Sequence, residues 1–190
     1  MRKINKLIFI LVSFLALIAF QACSKENFSI NTRTGARYRI PFGAGKTVDY
    51  TDVLVTRAVD GDTLQLETGE RVRLIGIDTP EMHESNKLYR DSERSQQDIE
   101  AIKAMGRESY GFTKKLVEGK RVSLEFDVEK QDIYKRMLAY VYLKDGTFVN
   151  AEIVKQGYAS LMTYPPNVKY ADLFVKLYRE ARENNRGLWK

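Results

Sequence analysis

From Tyr50 onward apolar and polar residues alternate with a period of two, the spacing that sends successive side chains to opposite faces of a strand. Val53, Val55 and Val59 mark a first strand. Leu64 and Leu66 alternate with Thr63, Gln65 and Glu67 in a second, and Thr68-Gly69-Glu70 turns into a third over Arg71 to Ile77. Val122, Leu124, Phe126 and Val128, interleaved with Ser123, Glu125 and Asp127, predict a fourth. Met137 to Leu143 is apolar on both faces, as a strand must be when a barrel interior covers one side and helices the other. Asp145-Gly146 then turns the chain towards Phe148. Five strands joined by hairpin turns predict a small antiparallel barrel.

Elsewhere the period lengthens. Met105, Ser109, Phe112 and Leu116 step by four, three and four, and Gly119 is placed to stop that helix. Asn150 is positioned to cap a short helix that runs through Gln156 and ends at Gly157. Leu173, Leu177 and Ala181 form one stripe of a final helix. The fold class expected is therefore α+β: a five-stranded barrel with three packed helices. Met82 to Asp98 shows alternating charges without apolar spacing and reads as a long mobile loop.

The first 22 residues follow a different pattern. Arg2, Lys3 and Lys6 precede an apolar run from Leu7 to Phe20, and Ala22 stands before Cys23, which together read as an export signal. The run is 14 residues long, shorter than the ~20 needed to span a bilayer as a helix. Cys23 sits where bacterial lipoproteins carry the acylated cysteine, so a lipid anchor in the cell envelope is expected, facing the periplasm or the exterior. Residues 23–49 are polar, contain glycines and Pro41, and read as a flexible tether, leaving residues 50–190 as the folded domain. Gly45-Lys46-Thr47 resembles the end of a phosphate-binding loop, but Ile40 occupies the position of its first glycine, so that motif is discarded.

Composition narrows the chemistry. One Cys and one His exclude a disulfide framework, a Cys/His zinc site and an iron–sulfur cluster, so any metal must sit on oxygen. The formal charge of +6 falls by three, to +3, once residues 1–22 are removed, so a case for a polyanionic partner has to rest on local constellations.

Those constellations are Val59-Asp60-Gly61-Asp62-Thr63 and Arg71 to Glu81, which ends Ile77-Asp78-Thr79-Pro80-Glu81. Two carboxylates in a turn, two more beyond a strand and an arginine from that strand place anionic oxygens beside a phosphate-binding fork. Such a cluster needs a cation. The residues alone leave two readings open, since Asp-Gly is a common hairpin turn and Thr-Pro-Glu a common loop opening. An EF-hand is excluded because Leu64 replaces its third ligand.

These two blocks, with Asp132-Ile133-Tyr134-Lys135-Arg136-Met137-Leu138-Ala139-Tyr140-Val141, resemble the three signature blocks of the staphylococcal nuclease (thermonuclease) family. Phe112 to Val117, Val149-Asn150, Gln156-Gly157-Tyr158-Ala159 and Gly187-Leu188-Trp189 extend the likeness from about Val53 to Lys190, in the family's order. The resemblance implies an OB-fold barrel, a bound Ca2+ ion and hydrolysis of DNA and RNA phosphodiesters with low sequence specificity. It implies that Asp62 and Asp78 hold the ion through carboxylates and Thr79 through its carbonyl, with Asp60 behind them. Glu81 would hold or deprotonate the attacking water, and Arg73 and Arg136 would grip the phosphate. Tyr134 and Tyr164 would stack on bases or touch phosphate. His83, two residues past Glu81, has no role in the family pattern.

The chain departs from that pattern in two places. Lys135 stands where the family usually has Gly, and the segment after Glu81 is longer. A contrasting expectation is a non-catalytic nucleic-acid-binding OB module, but such relatives have lost the acidic and arginine residues that this chain keeps. Nothing in the sequence demands more than a monomer.

Overall fold

The computed structural model describes residues 39–42 and 46–190, with side chains from Asp49 onward. The expected signal and Cys23 lie outside the described residues. Arg39–Phe42 (β1) and Lys46–Asp49 (β2), within the segment expected to be a tether, pair as an antiparallel hairpin.

Val53–Ala58 (β3), Thr63–Leu66 (β4), Arg71–Leu74 (β5), Arg121–Glu125 (β7) and Met137–Leu143 (β8) close a barrel in the order β3-β4-β5-β8-β7. Its interior is the face that the alternation predicts: Val53, Val55, Leu64, Leu66, Val72, Leu74, Val122 and Leu124 are all buried. Met137, Ala139, Val141 and Leu143 line the same core, while Tyr140 faces away from it into a second cluster with Phe174. The two-sided burial of β8 is thus as expected. This strand order is that of an OB-fold.

The barrel is mixed, not antiparallel as expected, because β5 and β8 run parallel with Val72 opposite Met137. After β5 the chain makes a long excursion through two helices before the β7–β8 hairpin, and periodicity carries no information on strand direction. The third expected strand also breaks. At Gly76 (φ +84°) the ring of Phe174 packs where a Cβ would stand, so only glycine fits. Beyond this bend Gly76–Asp78 (β6) leaves the barrel and pairs with Ser160–Met162 (β9), with Asp78 opposite Ser160.

Among the described residues there are four α-helices rather than three. The segment expected to be a loop after Glu81 contains Asn86–Ser95 (α1), capped by the Ser85 hydroxyl, which accepts the Leu88 N–H at 3.1 Å. Its one buried residue is Leu88, too little apolar signal to show a period.

Ile99–Val117 (α2) buries Ile102, Gly106, Ser109, Thr113 and Val117, a face centred beside the expected stripe. Its small and hydroxyl-bearing residues let α2 approach the loops at the barrel mouth.

In Val149–Lys155 (α3), Asn150 does not cap the helix. It is fully buried, accepts the Val141 N–H at 3.0 Å and donates to the Ile75 carbonyl at 3.0 Å, tying α3 to β8 and to the β5–β6 bend. Ala171–Glu183 (α4) buries Phe174 and Ala181, whereas Leu173, assigned to the stripe, is exposed.

Candidate active site

The acidic turn between β3 and β4 is built from its backbone outward. The amides of Val59 and Asp60 both donate to the Thr63 carbonyl, and Asp60 Oδ1 accepts the Asp62 N–H at 3.0 Å. Gly61 leaves space that a side chain would take, since a Cβ there would lie 2.7 Å from Thr79 Oγ1. Its carbonyl accepts the buried Thr113 hydroxyl of α2 at 2.7 Å. Asp62 Oδ2 then accepts the Thr79 N–H at 2.9 Å and the Thr79 hydroxyl at 3.1 Å. Two segments far apart in sequence thereby become one rigid floor.

Arg73 projects from β5, opposite Thr63. Its Nη1 lies 2.6 Å from Asp62 Oδ2 and its Nη2 2.8 Å from Asp78 Oδ1, with the guanidinium largely buried. Asp78 ends β6, where the Ser160 hydroxyl donates to its carbonyl at 3.1 Å. Glu81 follows on the stretch that crosses Gly106 of α2, whose Cα hydrogens face the Glu81 carbonyl. His83 is exposed beyond it.

Charge is crowded here. Burial, reinforced by the neighbouring Asp62 charge, pushes Asp60 up to about 7. Burial also raises Asp78 against the opposing pull of Lys87 and Arg73. At Asp62 burial acts in the same direction, but the Arg73 guanidinium and the Thr79 N–H outweigh it and hold the carboxyl below its ordinary value.

Lys87, from the first turn of α1, completes the cluster. Its Nζ stands 3.0 Å from the Thr79 carbonyl, 3.1 Å from Glu81 Oε1 and 3.2 Å from Asp78 Oδ2. Sequence reasoning missed this residue because it lies in a run of alternating charges that looks like a solvated loop. The one available signal was Ser85 placed to start a helix, with Lys87 and Asp91 four residues apart.

The oxygens of Asp62, Asp78, Glu81 and the Thr79 carbonyl are hard donors of the kind that calcium accepts; those of Asp78, Glu81 and Thr79 converge on the Lys87 ammonium, and Asp62 and Asp78 share the Arg73 guanidinium. The donor set therefore fits such an ion. Among the described residues no group of three or more His, Cys, Asp or Glu side chains forms a ready-made cage, and the carboxylates of this cluster are engaged by Arg73 and Lys87.

The second arginine comes from a tight loop. Asp132 accepts the N–H groups of Tyr134 and Arg136 at 2.9 Å each, and its Oδ2 pairs with Arg136 Nε at 2.7 Å. Lys135 takes φ +61°, so the position usually filled by Gly does require a left-handed backbone, and Lys adopts it. The Arg136 guanidinium lies 5.6 Å from the Tyr134 ring centroid.

Arg136, Arg73, Tyr134 and Tyr164 line one cleft of about 760 Å³. Both tyrosines are strongly exposed, at 74% and 70%. Asn167, which sequence reasoning also missed, joins their loops by accepting the Glu129 N–H and donating to the Glu129 carbonyl.

The class is now defined: an OB-fold barrel with an anionic pocket at its mouth and two arginines facing one aromatic cleft. Residues 71–190 match the family model described as "Staphylococcal nuclease homologue". The chain is 34% identical to the thermonuclease of Staphylococcus intermedius over 194 residues, covering 100% of this chain and 99% of that protein. It is 37% identical to an uncharacterized protein of Methanocaldococcus jannaschii, over 71% of this chain and 70% of that one. Against endonuclease YncB of Bacillus subtilis the identity is 33%, over 73% and 61%. The chain belongs to the staphylococcal nuclease family.

Proposed function

We propose that this protein is a nuclease, hydrolysing phosphodiesters of DNA and RNA with low sequence specificity and dependent on Ca2+. One observation carries the reading. Arg73, pinned between Asp62 and Asp78, lines the same cleft as Arg136, so an anionic pocket and two guanidinium groups meet where a phosphate can enter.

Attack on a phosphodiester gathers negative charge on the equatorial oxygens, and groups already aimed at that charge stabilise the transition state more than the ground state. Arg73 and Arg136 present planar donor forks that can each bridge two phosphate oxygens and stay charged at neutral pH. Asp62 and Asp78, through carboxylates, and Thr79, through its carbonyl, would hold the calcium ion. When bound, that ion supplies a Lewis acid that draws charge from a phosphoryl oxygen. Glu81 orients a water and accepts its proton as the oxygen attacks phosphorus and the bond to the departing oxygen breaks. Asp60 acts behind them, holding the Asp62 amide and so the turn. Tyr134 and Tyr164 would stack on bases or touch phosphate, contacts that suit a broad substrate range, since every base has a π-face.

The same proposal places the mature protein in the cell envelope as a monomer, exported by residues 1–22 and anchored by a lipid on Cys23. Fatty-acid labelling of the wild type and loss of label in Cys23→Ala test that part.

The catalytic reading is tested by incubating the purified protein with plasmid and single-stranded DNA, with Ca2+ or with a chelator, while circular dichroism follows the fold. Cutting of both substrates with Ca2+, and none with chelator in a folded protein, is expected. Ion-independent binding without cleavage would favour the non-catalytic OB module.

A further inference from the structure

The Lys87 ammonium sits where a cation would be expected to bind. The acceptors it meets are the Thr79 carbonyl and the carboxylates of Asp78 and Glu81, at 3.0 to 3.2 Å, and Asp91 completes the ring of oxygens at 3.6 Å. The long i,i+4 pair with Asp91 is the one contact of this ammonium within its own helix, and the helix dipole does not favour the placement. Lys87 is the second residue of α1, at the positive end of the helix dipole, where an ammonium is disfavoured.

The helix that carries it is lightly held. Leu88 is its only buried residue, and its C-terminal cap, Gln96, has a left-handed backbone at φ +56°. α1 can therefore shift at modest cost to packing, whereas the floor beneath it, stitched by Thr79 to Asp62 and by Thr113 to Gly61, cannot.

We propose that Lys87 is a built-in competitor for the divalent-cation site: its ammonium neutralises the pocket in the resting protein and must leave before the ion can enter. The inference rests on the calcium reading above. A divalent ion and an ammonium sharing Asp78 and the Thr79 carbonyl would repel each other at contact distance inside a largely buried pocket. Binding of one therefore excludes the other, and α1 sets the calcium concentration at which the site fills. The competition also gives selectivity, because an ion must repay the lost ammonium contacts before it gains anything, and a reluctantly dehydrating ion such as Mg2+ repays least.

The test is calorimetric titration of Ca2+ into nucleic-acid-free protein, comparing wild type with Lys87→Met, which keeps an unbranched side chain and removes the charge. Lys87→Gln is a second variant that keeps a hydrogen-bond donor and guards against a folding defect. Lys103→Met is the charge control, since it removes an ammonium paired with Glu84 and Glu100 on the surface.

Both Lys87 variants are expected to bind Ca2+ at least about tenfold more tightly than wild type, and Lys103→Met to stay within about twofold. Without calcium the Lys87 variants should melt below wild type, because their carboxylates lose a counter-ion, and calcium should raise their melting temperature by more than it raises that of wild type. Equal or weaker calcium affinity in the Lys87 variants, with wild type binding normally, overturns the competitor role and leaves the calcium reading standing. The same tightening in Lys103→Met also overturns it, as a general charge effect. Failure of every variant and of wild type to bind calcium overturns both.

Discussion

Gly106→Ala isolates how helix α2 positions Glu81. A Cβ on residue 106 would lie 2.6 Å from the Glu81 carbonyl oxygen and 2.8 Å from the Met82 nitrogen. Ordinary contact begins near 3.4 Å, so the Glu81 peptide must withdraw by roughly 0.6 to 0.8 Å. The contact is backbone against helix, and no side-chain rotation relieves it. Two terms then oppose each other in stability: overpacking costs about 1–3 kcal/mol, while Ala gains about 1 kcal/mol in helix propensity. The net loss should be at most about 2 kcal/mol, leaving a folded protein. The rate has no such compensation, because a catalytic group displaced by close to 1 Å loses on the order of 10²-fold. Initial rates on single-stranded DNA with Ca2+, measured beside urea unfolding of the same samples, read both quantities. Gly111→Ala is the control, on the same helix with nothing within 4 Å of its Cβ, and it should gain up to about 1 kcal/mol at unchanged rate. A Gly106→Ala enzyme within about twofold of wild type would refute the placement of Glu81 as a catalytic group.

Further perturbations test the scaffold. Asn150→Ala leaves the Val141 N–H and the Ile75 carbonyl without their buried partner and should cost about 2–4 kcal/mol in urea unfolding; a loss under about 1 kcal/mol would mean that this network does not hold α3 to the barrel. Lys135→Gly relieves the left-handed strain but loosens the unfolded chain, so it should gain up to about 1 kcal/mol, whereas Lys135→Val should lose about 1–2 kcal/mol; the opposite order would contradict the strain at φ +61°. Burial, with the Glu70 charge and hydrogen bond adding to it, pushes the Tyr50 hydroxyl up to about 12, and burial raises Tyr140 and Tyr142 as well. A raised folded-state value means stability intact below about pH 10 and lost as the pH rises towards 12, so the urea midpoint should fall across that window, and a flat midpoint would refute it.

The parts of this molecule that sequence reveals are those written in side-chain type at short spacing. Barrel strands β3 and β4 show themselves because one face is apolar and buried, and β8 because it is apolar on both faces. Asp62, Asp78 and Arg73 stand out through the motif blocks they share with the family, where the residues alone left two readings open, and the structure brings each carboxylate within 2.8 Å of the Arg73 guanidinium. What stays hidden depends on three-dimensional approach. The parallel pairing of β5 with β8 leaves no trace in alternation. Helix α2 is read slightly off its true face because, beside the expected Ser109, that face is carried by Gly106 and Thr113, which are not apolar. Helix α1 shows no apolar period because Leu88 alone is buried, which leaves only the Ser85 start, and with it is hidden Lys87, whose contacts are with Thr79 and Glu81 across the pocket. Asn150 looks like a cap by position and is instead a buried amide, a distinction that only its partners on β8 and at Ile75 can make.

The central claim is that two guanidinium groups and one anionic pocket act as a single phosphodiester-cleaving site. The initial rate of DNA hydrolysis by Arg73→Lys and by Arg136→Lys, with Ca2+ present and folding checked on the same samples, tests it most directly, because lysine keeps the charge and loses the planar fork. Each variant should fall by on the order of 10²-fold or more. Near wild-type turnover by either one, in a folded protein, would contradict the account.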